Sequence, residues 1–409
     1  MTRTRNLFCL TALLVHLTTS GWAAPSERGT ARFMQGPMLG TVAPDHALVW
    51  VRASGEYDIT VRYGTAADLK DAQESEEVRT GPAGDFTAIL RMDNLKSATT
   101  YYYTVLLDGQ PCVLLRETPP QAFKTAPAPD QMSAFSFAFG SCARHQVDKE
   151  QRIWNVAREL KPDFFLWVGD NVYGDSLHSI IVAEEYRRQR DILSLIPFLR
   201  STPQLAVWDD HDFGLNDHDR TNPVKGDMLE IFKLYWPNPA YGTQDTPGVF
   251  FRWNYGGVDF FMLDCRYHRD PNAGQDTDQK TFLGEGQLAW LKEQLLSSTT
   301  PFKLVVSGSG WTKSKGEGGD SWAAFLNERN ALFEFIRENE ISGVVLLSGD
   351  THTGEMNAIP WADKGGYDFY DLVSSPLATN PSQGWRTRAP EARLRPGFER
   401  KNLGLVSFE

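Results

Sequence analysis

Six short apolar runs in the second part of the chain each end in residues able to do chemistry. Phe135–Phe139 leads into Gly140-Ser141-Cys142, Phe164–Val168 into Gly169-Asp170-Asn171-Val172-Tyr173, and Leu205–Trp208 into Asp209-Asp210-His211-Asp212. Val258–Leu263 leads to Asp264-Cys265-Arg266, Leu304–Val306 to Ser307-Gly308-Ser309-Gly310-Trp311, and Val344–Leu347 to Ser348-Gly349-Asp350-Thr351-His352. Asp170, Asp209, Asp210 and Asp350 gathered at one rim would repel one another unless cations or protons neutralise them. With His211 and His352 beside them, a pair of di- or trivalent metal ions is the economical solution. Carboxylates suit hard cations, imidazole suits iron or zinc, and a Cys142 thiolate adds a softer donor. Two metals about 3.5–4 Å apart can hold both the attacking and the leaving oxygen of a displacement at phosphorus. Each motif alone has a plainer reading: a turn, a solvated acidic loop, a hydrogen-bonded Asp350–His352 pair, a small buried thiol. Their coincidence at matching ends of separate strands favours chemistry.

The elements that must position these loops are legible too. In an open α/β sheet, ligands bind beyond the C-terminal ends of the strands. After Ser133, apolar runs alternate with amphipathic stretches, which predicts an α/β domain over 133–409. Helices are expected over Lys149–Leu160, Val182–Leu195, Gly284–Leu295 and Trp322–Glu338. Upstream, from Phe33 to Thr125, the pattern is β. Alternating runs at Ala47–Arg52, Tyr57–Tyr63, Phe86–Met92 and Thr100–Leu107 are separated by turns such as Ser54-Gly55 and Asp108-Gly109. This predicts a small all-β sandwich over 30–127, similar to a fibronectin type III module, with Ala126-Pro127-Ala128-Pro129 as linker.

The chain has 409 residues, 41 Lys and Arg against 52 Asp and Glu, and a net charge of −11. That composition excludes a disordered, collagenous or coiled-coil protein. The charge repels nucleic acid and anionic membranes, so no stable nucleic-acid binding is expected. An anionic substrate would need local cations. Arg3 and Arg5 precede an apolar stretch from Leu7 to Leu17 and a short polar run to Ala24, the layout of a secretory signal peptide over 1–23. Gly21 and Ala23 are the small residues before the cut, and the expectation is an exported, periplasmic or extracellular protein beginning at Ala24. No later run reaches the roughly 18 apolar residues of a transmembrane segment. Cys112, Cys142 and Cys265 then remain, an odd count that leaves at least one thiol unpaired or in use.

These motifs resemble the alkaline phosphatase D (PhoD-like) family of the metallophosphoesterase superfamily. The matching stretches are Phe139-Gly140-Ser141-Cys142, Gly169-Asp170-Asn171-Val172-Tyr173, Trp208-Asp209-Asp210-His211-Asp212, Leu263-Asp264-Cys265-Arg266 and Ser348-Gly349-Asp350-Thr351-His352. Leu283–Leu291 and Asp320-Ser321-Trp322 follow family signatures in the same order. Purple acid phosphatases share Gly169-Asp170-x-x-Tyr173 but place Asp, Gly-Asn-His and Gly-His-x-His where this chain has Cys142, Asp209-Asp210-His211 and Gly349-Asp350-Thr351-His352. The resemblance implies an αββα metallophosphoesterase sandwich behind the β-sandwich.

It also implies a hydrolase of phosphomonoesters, phosphodiesters or both, acting through a metal-bound hydroxide. One metal would be held by Cys142, Asp170, Tyr173 and His352, with Asp170 bridging to a second site of Asp210 and Asp350, and Asp209 and Asn216 as further contributors. His211 would be the general acid. The implied cations are ferric iron with calcium; manganese and zinc stay open. Family members often carry paired asparagines after the acidic-His motif, where this chain has Phe213-Gly214-Leu215-Asn216-Asp217. Arg144, Arg220 and Arg266 are candidate phosphate contacts or structural ion pairs. Longer members continue past the last strand over the site, so an open site is expected, with Asn216–Asp227 as the internal alternative for a lid. The substrates expected are small phosphate esters. Phospholipid and nucleotide diesters stay open as substrates; a phospholipase cleaving headgroup phosphodiesters and a non-catalytic metal-binding surface protein are the competing readings.

Overall fold

The six apolar runs are short, rich in aromatic and β-branched residues, and bounded by glycines and polar turns, so each can only bury itself as a strand. In the computed structural model, Phe135–Gly140, Phe164–Val168, Gln204–Val207, Val258–Met262, Phe302–Val306 and Val344–Ser348 are all strands. The structure describes residues 31–382 and 397–409, apart from 113, 114, 116, 117, 130 and 317. The expected signal peptide lies outside the described residues.

The first three strands pair in parallel, and Gly404–Phe408 closes their sheet antiparallel against Phe135–Gly140. The other three are parallel to one another and to Phe369–Val373. Phe251–Tyr255 and Gly354–Ile359 flank them antiparallel. The two sheets face each other through aromatic side chains. Phe137 and Phe164 of the first meet Phe260 of the second at ring-centroid distances of 5.3 and 5.4 Å. On the outer side of the first sheet, Trp154 and Phe198, from helices Ile153–Leu160 and Ile196–Ser201, cover Phe165 and Trp167. On the outer side of the second, Leu291, Leu295, Leu332, Phe333 and Ile336 pack with Phe261, Val305 and Leu346. Helices Gly284–Ser297 and Leu326–Glu338 carry these residues. The result is the expected four-layer αββα sandwich, with parallel strands buried on both faces.

Helix boundaries differ from expectation for local reasons. The first helix starts at Ile153 because Asp148 Oδ1 accepts from the amides of Glu150 and Gln151, holding them in a turn. The second spans Ser179–Arg190 and ends before Leu195. Trp322–Ala324 is a separate 3-10 turn before Leu326–Glu338. Trp322 is stacked between Trp311 and Phe282, at 4.5 and 4.0 Å, and tertiary packing there overrides the helical period.

Residues 33–124 form two antiparallel sheets, one of Phe33–Val42, Ala47–Ala53 and Thr87–Met92, the other built around Asp58–Gly64 and Thr100–Leu107. Their inner faces share one core with Leu39, Val49, Ile59, Leu90 and Tyr103. This sandwich is fastened to the αββα layers by polar contacts. Thr41 N donates to Pro237 O at 3.0 Å and Trp50 Nε1 to Leu234 O at 2.7 Å. Arg190, fully buried, lies over the rings of Trp236 and Trp50 at 4.7 and 4.8 Å, and burial lowers its pKa to about 10.

Asp85 is the charged hub of this junction. It accepts from Arg52 Nη2 at 3.0 Å, from Arg187 Nη1 at 2.7 Å and from Tyr235 OH. Burial pushes its carboxyl up, but the bonds to Arg52, Tyr235 and Arg187 outweigh it and hold the pKa below the ordinary carboxylate value. A depressed carboxyl pKa contributes stability above the unfolded value, near 3.9, and that contribution is lost as pH falls through the folded pKa. Asp85→Asn is therefore expected to lower unfolding free energy by about 1–3 kcal/mol at pH 7, with the gap closing below about pH 4. Urea unfolding of both proteins across pH checks this; a gap that persists undiminished at pH 3 contradicts it.

Candidate metal centre

The candidate donors stand on backbone that L-residues rarely adopt. Cys142, Asp170, Asp350 and His352 have φ values of 62°, 50°, 65° and 56°. Left-handed conformations of non-glycine residues cost on the order of 1 kcal/mol or more and cluster at functional sites. Hydrogen bonds between loops enforce them. Cys142 N donates to Gly169 O at 3.3 Å and Ala143 N to Asp170 O at 3.0 Å. Asp350 N donates to Ser141 Oγ at 3.1 Å, and His352 N to Ser375 Oγ at 3.0 Å. Two glycines permit the loops to approach so closely. A Cβ at Gly169 would lie 2.7 Å from Asp209 Cβ, and one at Gly349 would lie 2.4 Å from Ser141 Oγ.

These turns bring the predicted residues together. Cys142 Sγ and Tyr173 OH each lie 3.3 Å from Asp170 Oδ2, and Tyr173 OH is 3.2 Å from His352 Nε2. Donor atoms of Cys142, Asp170 and His352 all fall within 4.8 Å of one another. The same holds for Asp209, Asp210 and Asp350, and for Asp170, Asp210 and His211. Asp209 is already engaged, by Arg266 Nε and by Ser309 Oγ at 3.1 Å. Asn216 is exposed, and its neighbour Asp217 forms a further group with Asp210 and Asp320. Cys112, Cys142 and Cys265 are all unpaired and buried, and of these Cys142 alone falls in a donor group.

Two residues of the site, Asp175 and Lys315, had no sequence signal. Asp175 Oδ1 lies 2.5 Å from His211 Nδ1 and fixes the ring, which also packs on Tyr173 at a centroid distance of 4.0 Å. Lys315 Nζ donates to Asp350 Oδ2 at 2.5 Å. Arg266 has no exposed surface; besides Asp209 it holds Asp320 Oδ2 at 2.7 Å through Nη2. Asp212 was visible in its motif but without a role. It ties two loops together, accepting from Val172 N at 3.0 Å and Asn171 Nδ2 at 2.9 Å.

Burial and the neighbouring charges shift the titration of these side chains. Burial, then the neighbouring Cys142, raises Asp170 well above the carboxylate range. Burial and Asp350 push the Cys142 thiol up to about 11. Burial also raises Tyr173 and lowers His352. Asp210 goes the other way: burial would raise it, but Arg266 and His211 outweigh that and hold it low. For His211, burial opposes the charge, yet Asp170 and Asp175 raise the pKa to about 10. Asp170 Oδ1 and Asp210 Oδ1 are buried and accept no hydrogen bond. Orphaned buried carboxylate oxygens call for a partner. A sulfur, nitrogen and oxygen set beside an all-carboxylate set fits a transition metal next to a harder cation.

Facing sheets with such donors at their strand ends define a metallophosphoesterase sandwich. Residues 137–399 match the model of the PhoD-like phosphatases, and residues 30–125 match a domain of unknown function, DUF7800. The chain belongs to the PhoD-like phosphatase family. It is 24% identical to alkaline phosphatase D of Bacillus subtilis (strain 168) over 402 residues, covering 82% of this chain and 66% of that protein's length. A solved structure of PhoD superposes with a TM-score of 0.78 at 18% identity, over 94% of this chain and 85% of that one. The purple acid phosphatase PPD1 of yellow lupin (Lupinus luteus) superposes at 0.59 and 12% identity, over 91% and 69%. These structures share the fold.

Asp212 supplies a test of how the loops are held. Asp212→Ala strands Val172 N and one of the two N–H groups of Asn171 Nδ2, the other staying on Val207 O, which is expected to cost about 2–4 kcal/mol of unfolding free energy. Asp212→Asn keeps an acceptor and is expected to lose less. Urea denaturation measures both; an alanine variant within about 0.5 kcal/mol of wild type contradicts the assignment.

Proposed function

We propose that this chain is an exported enzyme that hydrolyses small phosphate esters, monoesters, diesters or both, at a centre of two or more cations. One cation would be held by Cys142, Asp170, Tyr173 and His352, and its neighbour by Asp170, Asp210 and Asp350 with Asp209 behind them. The carrying observation is that these two donor groups stand side by side and meet through Asp170, Asp210 and His211. Ferric iron with calcium is the combination we favour, since the first group offers thiol and phenol and the second only carboxylates. Bound there, such cations lower the pKa of water and offset charge on a phosphoryl oxygen.

The chain's own residues do the rest. Asp175 holds His211 through Nδ1, so the imidazole is oriented to protonate the leaving oxygen. Lys315 and Arg266 balance part of the carboxylate charge. Lys315 sits on Asp350 and Arg266 on Asp209, so each leaves a different part of the rim to the cations. We place the domain boundary at the 126–129 segment, assign catalysis to 133–409, and take residues 1–23 as the export signal.

Turnover of p-nitrophenyl phosphate and of bis(p-nitrophenyl) phosphate, with and without chelator, tests this reading. Chelation is expected to abolish both activities and metal addition to restore them. Cys142→Ser is expected to lower transition-metal content and activity while far-UV circular dichroism stays unchanged, because the core does not depend on the ion. Full activity after complete metal removal contradicts the proposal, as does a Cys142→Ser protein with wild-type metal and rate.

A further inference from the structure

The cations around the site are not equivalent. Arg266 is spent on Asp209 and Asp320, and Arg269 pairs with Asp320 at 2.8 Å. Arg220 pairs with Asp270 at 2.7 Å, and Lys315 with Asp350 at 2.5 Å. Arg144 differs from all of them. Among the described residues its side chain makes no ion pair and no hydrogen bond, and its Nε is buried without an acceptor. Its guanidinium lies over the Tyr173 ring, Cζ 4.8 Å from the centroid. The hydroxyl of that same ring reaches Asp170 and His352. The backbone is anchored, with Arg144 N donating to Ala378 O at 3.3 Å and Arg144 O accepting from Val147 N and Asp148 N at 3.1 Å each.

An arginine stays charged at any working pH, and its planar fork matches two oxygens of one phosphoryl group. Lying over Tyr173, the guanidinium is seated on the ring whose hydroxyl meets Asp170 and His352, and this contact does not consume its N–H groups. Among the described residues Arg220, Arg266 and Arg269 each have a carboxylate, and an arginine left without one is reserved for an anion that arrives from outside.

We propose that Arg144 is a substrate-binding residue that grips the non-bridging oxygens of the phosphoryl group and so biases the enzyme toward phosphomonoesters. This rests on the phosphoesterase reading above. A monoester dianion offers one more non-bridging oxygen and one more negative charge than a diester monoanion. A guanidinium facing those oxygens therefore contributes more to monoester turnover.

The test compares full-length wild type with Arg144→Met and Arg144→Lys. It uses p-nitrophenyl phosphate, bis(p-nitrophenyl) phosphate, calorimetric binding of inorganic phosphate, and metal analysis. For Arg144→Met, kcat/KM for the monoester is expected to fall about 100-fold and for the diester about tenfold or less, as loss of charge-assisted hydrogen bonds implies. Phosphate binding is expected to weaken by at least about tenfold, with metal content unchanged. Arg144→Lys, which keeps the charge but not the fork, is expected to fall between the two. Equal losses on both esters, or unaltered phosphate binding in Arg144→Met, overturn the proposal; a purely structural arginine would not shift the monoester-to-diester ratio. Should wild type hydrolyse neither ester, the phosphoesterase reading fails, and phosphate binding alone then decides: equal affinity in wild type and Arg144→Met overturns the role given to Arg144.

Discussion

Arg266 carries no exposed surface, yet it holds Asp209 through Nε and Asp320 through Nη1 and Nη2, and so fixes where the acidic rim can stand. Asp320 in turn binds Arg269, and these contacts hold it far below the usual carboxylate range despite its burial. A buried guanidinium bonded this way cannot move to neutralise a second cluster. Among the described residues, Asp170, Asp210 and Asp350 are left with Lys315 and His211 as neighbouring cations beyond Arg266, and with two buried oxygens that accept no hydrogen bond. On the proposed reading, bound cations supply the remaining charge. That constraint also accounts for the left-handed residues at the strand ends, since only sharply turned loops bring so many donors within reach of one another.

The sandwich contributes rigidity at the far side of the first sheet. Asp85 joins Arg52 of the sandwich to Arg187 and Tyr235 of the helices, and Arg190 fills an aromatic cage that includes Trp50. Helix Ser179–Arg190 begins shortly after the loop that carries Tyr173 and Asp175. The junction thus braces the helix next to the site.

Much of this was legible in the sequence because hydrophobic runs and the polar residues that end them are adjacent in the chain. All six strands, the four layers and the gathering of Cys142, Asp170, Tyr173, Asp210, Asp350 and His352 follow from that adjacency. Asn216 was a different matter. The turn after Gly214 exposes it and delivers the amide of Asp217 to Asp210 Oδ2 at 2.7 Å. Asp175 was hidden because its pairing with His211 spans 36 positions and arises when Gly174 N and Asp175 N both bond His211 O. Lys315 sits in a Gly- and Lys-rich stretch that reads as a solvated loop, and nothing local says that it folds onto Asp350. For Arg144, Arg220 and Arg266, sequence could name the candidates but not sort them; the partners each one finds in space do that.

The central claim is that a thiol-containing donor group and a carboxylate group hold different cations side by side. X-ray absorption at the edge of the bound transition metal in the full-length protein tests it most directly. The account predicts a first shell containing one sulfur among oxygen and nitrogen neighbours, with the neighbouring cation as a scatterer heavier than those ligand atoms beyond it. A shell of oxygen and nitrogen alone, in a protein whose Cys142 is intact and reduced, would contradict it.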